Sequence, residues 1–182
     1  MLKITIKGPE FYDEEKQEFT YGKDTTLTLE HSLVSISKWE AKYHKPFMRE
    51  KEKMTPEETI EYIKFMTLTQ NVDPEVYNRI NNNVIKQIAE YIKDPMTATW
   101  FSNTKKRGGT KRIITSELLY YQMVAYNIPF ECQKWHLNRL LTLIRVCEEE
   151  SQPKKKKSQR EALMEQAAIN KARRAKKKGG RP

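Results

Sequence analysis

The sequence predicts a mainly helical α+β fold: small N-terminal antiparallel strands, a body of five or six helices, and a flexible basic C-terminal tail. Three observations predict it. Residues 2–7 alternate apolar and polar side chains with a period of two, whereas apolar residues after Leu29 recur at helical spacing. All of the net charge of +10 lies in residues 151–182, which hold 12 Lys/Arg against two Glu. Residues 1–150 hold 22 basic and 22 acidic residues, so the body is neutral.

The N-terminal strands are predicted from residues 2–7, which are followed by the turn-forming pair Gly8-Pro9. Residues 17–21 and 26–29 are expected to pair with this strand, with residues 22–24 as a turn between them. This gives either a strand pair or a three-stranded sheet.

The first helices are predicted from apolar spacing and from their end signals. A helix through Leu33, Ile36 and Trp39 is expected to end before Lys45-Pro46, because proline cannot continue it. Thr55, Pro56 and Glu58 form a capping-box start for the next helix. A short helical turn is expected near Tyr77.

Three further helices complete the body. Asn82 or Asn83 is predicted to cap one helix, which ends at Asp94-Pro95. Thr115 or Ser116 is predicted to cap the next helix, which ends at Ile128-Pro129. The last helix is expected over roughly residues 131–149, with Trp135 in the core because this segment is apolar around most of its circumference. The predicted domains are therefore a body, 1–150, and a tail, 151–182.

Composition excludes several classes of protein. The longest apolar runs are interrupted every few residues, well short of the roughly 18–20 residues of a membrane span, so no membrane association is expected. The N-terminal sequence lacks the apolar region of a signal peptide. Cys132 and Cys147 alone imply no disulfide framework, and a reducing cytoplasm is expected.

No motif predicts catalysis or a cofactor. Cys132 and His136 have i,i+4 spacing, which would place both on one face of the last helix, but zinc needs about four ligands and the other candidates lack motif spacing. We therefore interpret both residues as core-facing and expect no metal, cofactor or catalytic residue. Carboxylates within residues 10–18 and 50–61 are interpreted as a solvated surface.

Four segments carry a family resemblance. They are residues 31–47 (HSLVSISKWEAKYHKPF), 96–101 (MTATWF), 113–147 (IITSELLYYQMVAYNIPFECQKWHLNRLLTLIRVC) and the Ala/Asn/Lys/Arg-rich ending at 167–178. Together they resemble the tail assembly chaperones of tailed phages of the siphophage type. The resemblance implies a non-catalytic protein of the host cell cytoplasm that is absent from the mature virion. It also implies two partners, the tape measure protein, which such chaperones keep soluble, and the major tail protein, which they help to recruit.

The tail is expected to order on a partner and to attach by charge. The predicted partner-binding residues are Lys154, Lys155, Lys156, Lys157, Arg160, Lys171, Arg173, Arg174, Lys176, Lys177 and Lys178. An alternative is a nucleic-acid-binding phage protein that uses this tail and the loop at 105–112, which carries five cations. A structural protein of the virion tail or capsid is the third hypothesis.

The division of charge predicts that the body folds without the tail. Residues 1–150 expressed alone should give a cooperative thermal transition close to that of the full chain, since only Leu163, Met164 and Ile169 are large apolar residues beyond the boundary. Thermal unfolding followed by circular dichroism measures this. An insoluble or molten fragment would contradict the prediction.

Overall fold

The computed structural model describes residues 1–14, 17–101 and 113–151, and six residues between 163 and 170. The chain divides into two compact units, Met1–Glu148 and Glu149–Pro182. Four strands and seven α-helices lie in the described residues before 152. The strands are β1 (Leu2–Ile6), β2 (Glu10–Asp13), β3 (Glu18–Tyr21) and β4 (Thr25–Leu29). The helices are α1 (Leu33–Tyr43), α2 (Phe47–Glu50), α3 (Pro56–Met66), α4 (Glu75–Asn78), α5 (Asn82–Lys93), α6 (Ser116–Ala125) and α7 (Leu137–Ser151), with a 3₁₀ helix at Phe130–Lys134 before α7.

This architecture confirms the mainly helical α+β class. The predicted helices are all present, although α4 is a single turn of four residues. The single turn α2 was not predicted, because it begins directly after Pro46 and has no capping side chain nearby in sequence.

The four strands form one antiparallel ribbon with an interruption in the middle. β1 pairs with β4 from Leu2↔Leu29 to Ile6↔Thr25, and β2 pairs with β3 from Glu10↔Tyr21 to Asp13↔Glu18. At the interruption, the Gly22 N–H donates to the Pro9 carbonyl at 2.8 Å. A Cβ on Gly8 would lie 2.0 Å from the Gly22 carbonyl oxygen. The two backbone segments of the ribbon approach this closely only because residue 8 is glycine.

The expected pairing of residues 17–21 with the first strand is therefore wrong. These residues pair with Glu10–Asp13, a strand that was not predicted, and the result is two separate two-stranded ladders. The prediction fails because it interprets the segments at Gly8-Pro9 and 22–24 as turns. In the structure these segments lie opposite each other at the interruption of the ribbon, where the Gly8 N–H donates to Asp24 Oδ1 at 3.0 Å.

The helix ends agree with the sequence except at the start of α5 and in the last predicted helix. Thr55 and Glu58 form the predicted capping box, with Glu58 N–H to Thr55 Oγ1 at 3.2 Å and Thr55 N–H to Glu58 Oε2 at 3.0 Å. Glu58 is buried, so its assignment to a solvated surface is wrong; Lys45 Nζ pairs with it at 2.7 Å. Asn81, one residue before the predicted cap, caps α5 by accepting from Val84 N–H at 3.0 Å.

The last predicted helix is divided, which corrects two expectations. Cys132 lies in the 3₁₀ helix, whereas His136 forms an isolated bridge with Ser32 before α7 begins, so the pair does not share a helix face. Both side chains are buried, as expected. Trp135, at the end of the 3₁₀ helix, is only half-buried, so its assignment to the core is wrong. The break arises because the Leu137 N–H donates to the His31 carbonyl at 2.7 Å, which holds the chain extended there.

The core lies around α1, which packs against α2, α3, α6 and the 3₁₀ helix. Trp39, on α1, is 0% exposed and contacts Tyr43 and Phe47 with ring-centroid distances of 4.9 and 5.3 Å. One face of the β1–β4 ladder closes the core with Ile4, Ile6, Leu27 and Leu29. The alternate residues Lys3, Thr5 and Thr26 face outward, as the period of two requires.

Two tryptophans provide a matched test of this packing. Trp39→Ala should lower the free energy of unfolding by roughly 3–5 kcal/mol, because it empties a fully buried site. Trp135→Ala should cost only about 1–2 kcal/mol, since this ring is half-buried at the edge of the core, with the Arg139 guanidinium 4.2 Å from its centroid. Denaturant unfolding of the full chain measures both. Equal losses would contradict the placement of Trp135.

Candidate partner-binding surfaces

The predicted partner-binding cations lie outside the described residues. This holds for Lys154, Lys155, Lys156, Lys157, Arg160, Lys171, Arg173, Arg174, Lys176, Lys177 and Lys178, and also for the basic loop at 105–112. In the second unit, nine residues are described, all of them helical and exposed: Glu149, Glu150, Ser151, Leu163, Met164, Gln166, Ala167, Ile169 and Asn170.

Several buried titratable groups of the first unit meet at the segment Glu30-His31-Ser32, between β4 and α1. Tyr91 Oη donates to Glu30 Oε1 at 2.6 Å, and the α-amino group of Met1 lies 3.1 Å from Glu30 Oε2. His31 Nδ1 shares a hydrogen bond of 2.5 Å with Tyr62 Oη. The Glu30 N–H donates to the Met66 carbonyl at 2.9 Å. This tripeptide thus joins the ribbon, α3, α5 and the start of α7.

His31 and His136 form a buried pair with ring centroids 5.3 Å apart. His136 Nε2 lies 3.0 Å from the Tyr91 carbonyl oxygen and therefore donates its proton, while Nδ1 accepts from the Asn138 N–H at 3.3 Å. One nitrogen donates and the other accepts, which is the hydrogen-bond pattern of a neutral imidazole. Burial lowers the pKa of His31 to about 3, with a smaller effect from His136. Burial also lowers the pKa of His136.

A polar cleft of about 250 Å³ opens beside this network, with Glu30, Tyr91, Trp135 and His136 in its lining. Its carboxylate and imidazole are engaged by the contacts just described, so we interpret the network as structural. Burial and the Glu30 carboxylate raise the pKa of Tyr91, which makes a phenolate unfavourable here. Across the described parts of the chain, no group of three or more His, Cys, Asp or Glu side chains is arranged to hold a metal ion.

Helix α6 is apolar on two sides, and only one of them is covered. Leu119 and Met123 are buried against the core. On the opposite side, Tyr121 is 65% exposed and Val124 is 59% exposed, and Ala125 lies one turn from Tyr121. Residues at these spacings lie side by side on a helix, so they form a continuous apolar stripe. We call this stripe the α6 face.

A shallow groove of about 500 Å³ runs between the end of α1 and the start of α6. Glu40, on α1, shapes it: Oε1 accepts from the Phe47 N–H at 2.8 Å and Oε2 from the Ser116 N–H at 2.7 Å. One carboxylate thereby caps the N-termini of both α2 and α6. The dipoles of the two helices stabilise its negative charge at this position. Ile113, which is exposed, extends the apolar surface from the groove toward the α6 face.

Exposed aromatic rings mark two other places. Trp100, in the segment at 96–101, is 90% exposed, and its neighbour Phe101 stacks on the Arg145 guanidinium at 3.8 Å. The β2–β3 hairpin exposes Phe11, Tyr12, Phe19 and Tyr21. Trp39, Tyr62, Tyr77 and Tyr91 are buried in the core, whereas Tyr12, Tyr21, Trp100 and Tyr121 are exposed.

Sequence reasoning did not single out the α6 face or the hairpin as binding surfaces. For α6 a signal was present, because SELLYYQMVA has apolar residues on opposite sides of the helix although only one side can cover the core. For the hairpin, EFTY alternates polar and aromatic residues whereas EFYD does not, so the sequence carried no clear signal.

None of the helices in the described residues is both long and apolar enough to cross a membrane. No family model, curated protein or solved structure matches this chain.

The buried histidine pair predicts a pH dependence of stability. Unfolded histidine has a pKa near 6.5, whereas the folded state depresses the pKa of both imidazoles, that of His31 to about 3. Below about pH 6.5 the unfolded state therefore binds more protons than the folded state, so the free energy of unfolding falls, by up to about 1.4 kcal/mol per histidine and pH unit.

Denaturant unfolding between about pH 7 and about pH 5 measures this decline, above the range in which carboxylates titrate. In the His31→Asn variant, the free energy of unfolding should fall less steeply with decreasing pH than in the wild type, although the variant is less stable overall. His44→Asn is the matched control, because His44 is exposed and has a φ of 54°, which asparagine adopts readily. Equal slopes in the two variants would contradict the assignment to His31.

Proposed function

We propose that this protein is a non-catalytic tail assembly chaperone of a tailed phage, which binds the tape measure protein in the host cytoplasm and assists polymerisation of the tail tube. The resemblance of residues 31–47, 96–101, 113–147 and 167–178 to that family supports the proposal. The observation that carries it is the α6 face, which lies within one of these segments and leaves a second apolar side of the helix in solvent.

The chemistry of the partner fits this surface. A tape measure protein exposes long apolar helical surface until the tube encloses it, and such surface aggregates in water. If Tyr121, Val124 and Ala125 of α6 pack against this surface, they cover one or two turns of a tape measure helix at a time. Helix-to-helix contacts of this kind use anchors at i, i+3 and i+4 spacing, which is the spacing on α6.

The basic C-terminal segment has a second role in the proposal. Its cations from Lys154 to Lys178 would attach to acidic stretches of the partner, while Leu163 and Met164 offer exposed apolar contacts, at 70% and 63% exposure. Many weak contacts spread over two units suit a protein that must release its partner when tail tube subunits replace it. Recruitment of the major tail protein belongs to the same proposal.

The alternative is nucleic-acid binding by the C-terminal segment and the loop at 105–112. The observation that favours it is the net charge of +10 in residues 151–182. Twelve cations bind nucleic acid at low salt whatever the biological role, because counterion release needs no shaped surface. Binding that depends on several phosphate contacts weakens by orders of magnitude at about 0.2 M salt, and apolar helix contacts largely persist.

Co-expression with the tape measure protein tests the proposal. We expect the wild-type chain to keep the tape measure protein soluble and to co-purify with it through a wash at about 0.2 M salt, while nucleic acid is lost. Tyr121→Ser combined with Val124→Ser should release most of the soluble tape measure protein, since the α6 face then lacks its anchors.

Leu68→Ser is the matched control, because Leu68 is an exposed apolar residue away from α6, at 51% exposure. This variant should keep the tape measure protein soluble. Retention of nucleic acid through the wash, with no effect on tape measure solubility, would favour the alternative and overturn the chaperone proposal.

A further inference from the structure

The β2–β3 hairpin is largely exposed to solvent. β2 and β3 pair only with each other among the described residues, and every residue of β3 is exposed. A two-stranded end of a ribbon with no buried face is marginally stable in water, so contact with another surface would stabilise it.

One face of this hairpin is aromatic. Tyr12 lies directly opposite Phe19, with ring centroids 5.1 Å apart, and Tyr21 lies on the same face two residues along the strand. These three rings are 54%, 61% and 69% exposed. Together they form an apolar platform of the kind that marks protein interaction sites. We call it the hairpin platform.

The hairpin segment is acidic. Residues 10–24 hold six Asp/Glu and two Lys, a net charge of −4 in a body whose total is zero. Glu10 lies opposite Tyr21 on the platform face, whereas Glu18 lies opposite Asp13 on the reverse face; Glu10 and Glu18 are both exposed. Two hairpin platforms would therefore repel one another, and a basic occupant is favoured.

The chain itself contains a segment with the complementary properties. Residues 151–182 carry a net charge of +10. Within them, Leu163, Met164 and Ala167 are helical and exposed, and i,i+3 and i,i+4 spacing places them on one side of a helix. The apolar stripe matches the three aromatic rings in chemistry, and the net charge of its segment is opposite in sign to that of residues 10–24.

We propose that the hairpin platform binds the C-terminal segment, residues 151–182, of a second copy of this chain. Leu163 and Met164 cover the rings of Tyr12, Phe19 and Tyr21, and lysine and arginine side chains pair with Glu10 on the platform face, while Glu18 on the reverse face adds to the negative charge of the hairpin. The two surfaces differ, so the contact is heterologous: each copy offers one platform and one segment, and copies join into an open chain unless the geometry closes a ring. This assembly does not depend on the chaperone role.

Analytical ultracentrifugation of the full chain over a concentration series tests the proposal. At low salt the average mass of the wild-type protein should rise with concentration, and the rise should shrink as salt screens the charge pairs. Glu10→Lys combined with Glu18→Lys should weaken association at least about tenfold. Glu52→Lys combined with Glu90→Lys is the matched control, with the same change of charge at exposed positions outside the hairpin, and should associate like wild type.

A mixing experiment identifies the two surfaces as partners. Replacement of Lys154, Lys155, Lys156 and Lys157 by Gln should also abolish association. Each variant alone should be monomeric. In an equimolar mixture of the lysine-to-glutamine variant and Glu10→Lys/Glu18→Lys, the first chain has an intact platform and the second has an intact C-terminal segment. This mixture should therefore form complexes of two chains. A wild-type protein that stays monomeric, a control as weakened as the hairpin variant, or a mixture that stays monomeric would overturn the proposal.

Discussion

The fold depends on a single buried tripeptide, Glu30-His31-Ser32, at which the β ribbon becomes α1. Its main chain bonds to the Met66 carbonyl at the end of α3 and to the Leu137 N–H at the start of α7. Its side chains bond to Tyr91 on α5 and Tyr62 on α3. All three residues are buried, and groups buried this deeply must be hydrogen-bonded or they cost stability. Elements far apart in sequence are thereby held at one point, and a change at this point disturbs four of them.

Glu40, the residue after Trp39 on α1, also joins elements that are far apart in sequence. Its two oxygens accept from the first N–H groups of α2 and α6, which begin 7 and 76 residues later in the chain. A cap supplied across the fold fixes where α6 starts and therefore which of its sides faces the core. The exposed position of Tyr121 and Val124 is a consequence of that orientation. The candidate binding surface is thus set by a buried carboxylate that does not belong to it.

Local signals in the sequence predicted the local structure, and contacts between distant residues account for the rest. The capping box at Thr55 and Glu58 and the stop at Asp94-Pro95 need only a few neighbouring residues, and both are present. The division of the last helix was not predictable, because it depends on His31 and Ser32 more than a hundred residues earlier. The ribbon register depends on the close approach of Gly8 and Gly22, and each glycine alone resembles an ordinary turn residue. Sequence reasoning named the C-terminal cations, whereas the α6 face and the hairpin platform required the fold.

Polar and apolar groups are placed in opposite ways in the part of the chain that the structure describes. The glutamate, histidine and tyrosine side chains around Glu30-His31-Ser32 are buried and hydrogen-bonded, and they join separate elements. Large apolar side chains, by contrast, lie in solvent on the α6 face and on the hairpin platform. Two apolar surfaces with different surroundings suit two different contacts. The two proposed contacts use one surface each: the α6 face for an apolar helix of the partner, and the hairpin platform, in a segment with a net charge of −4, for the basic segment of the next copy.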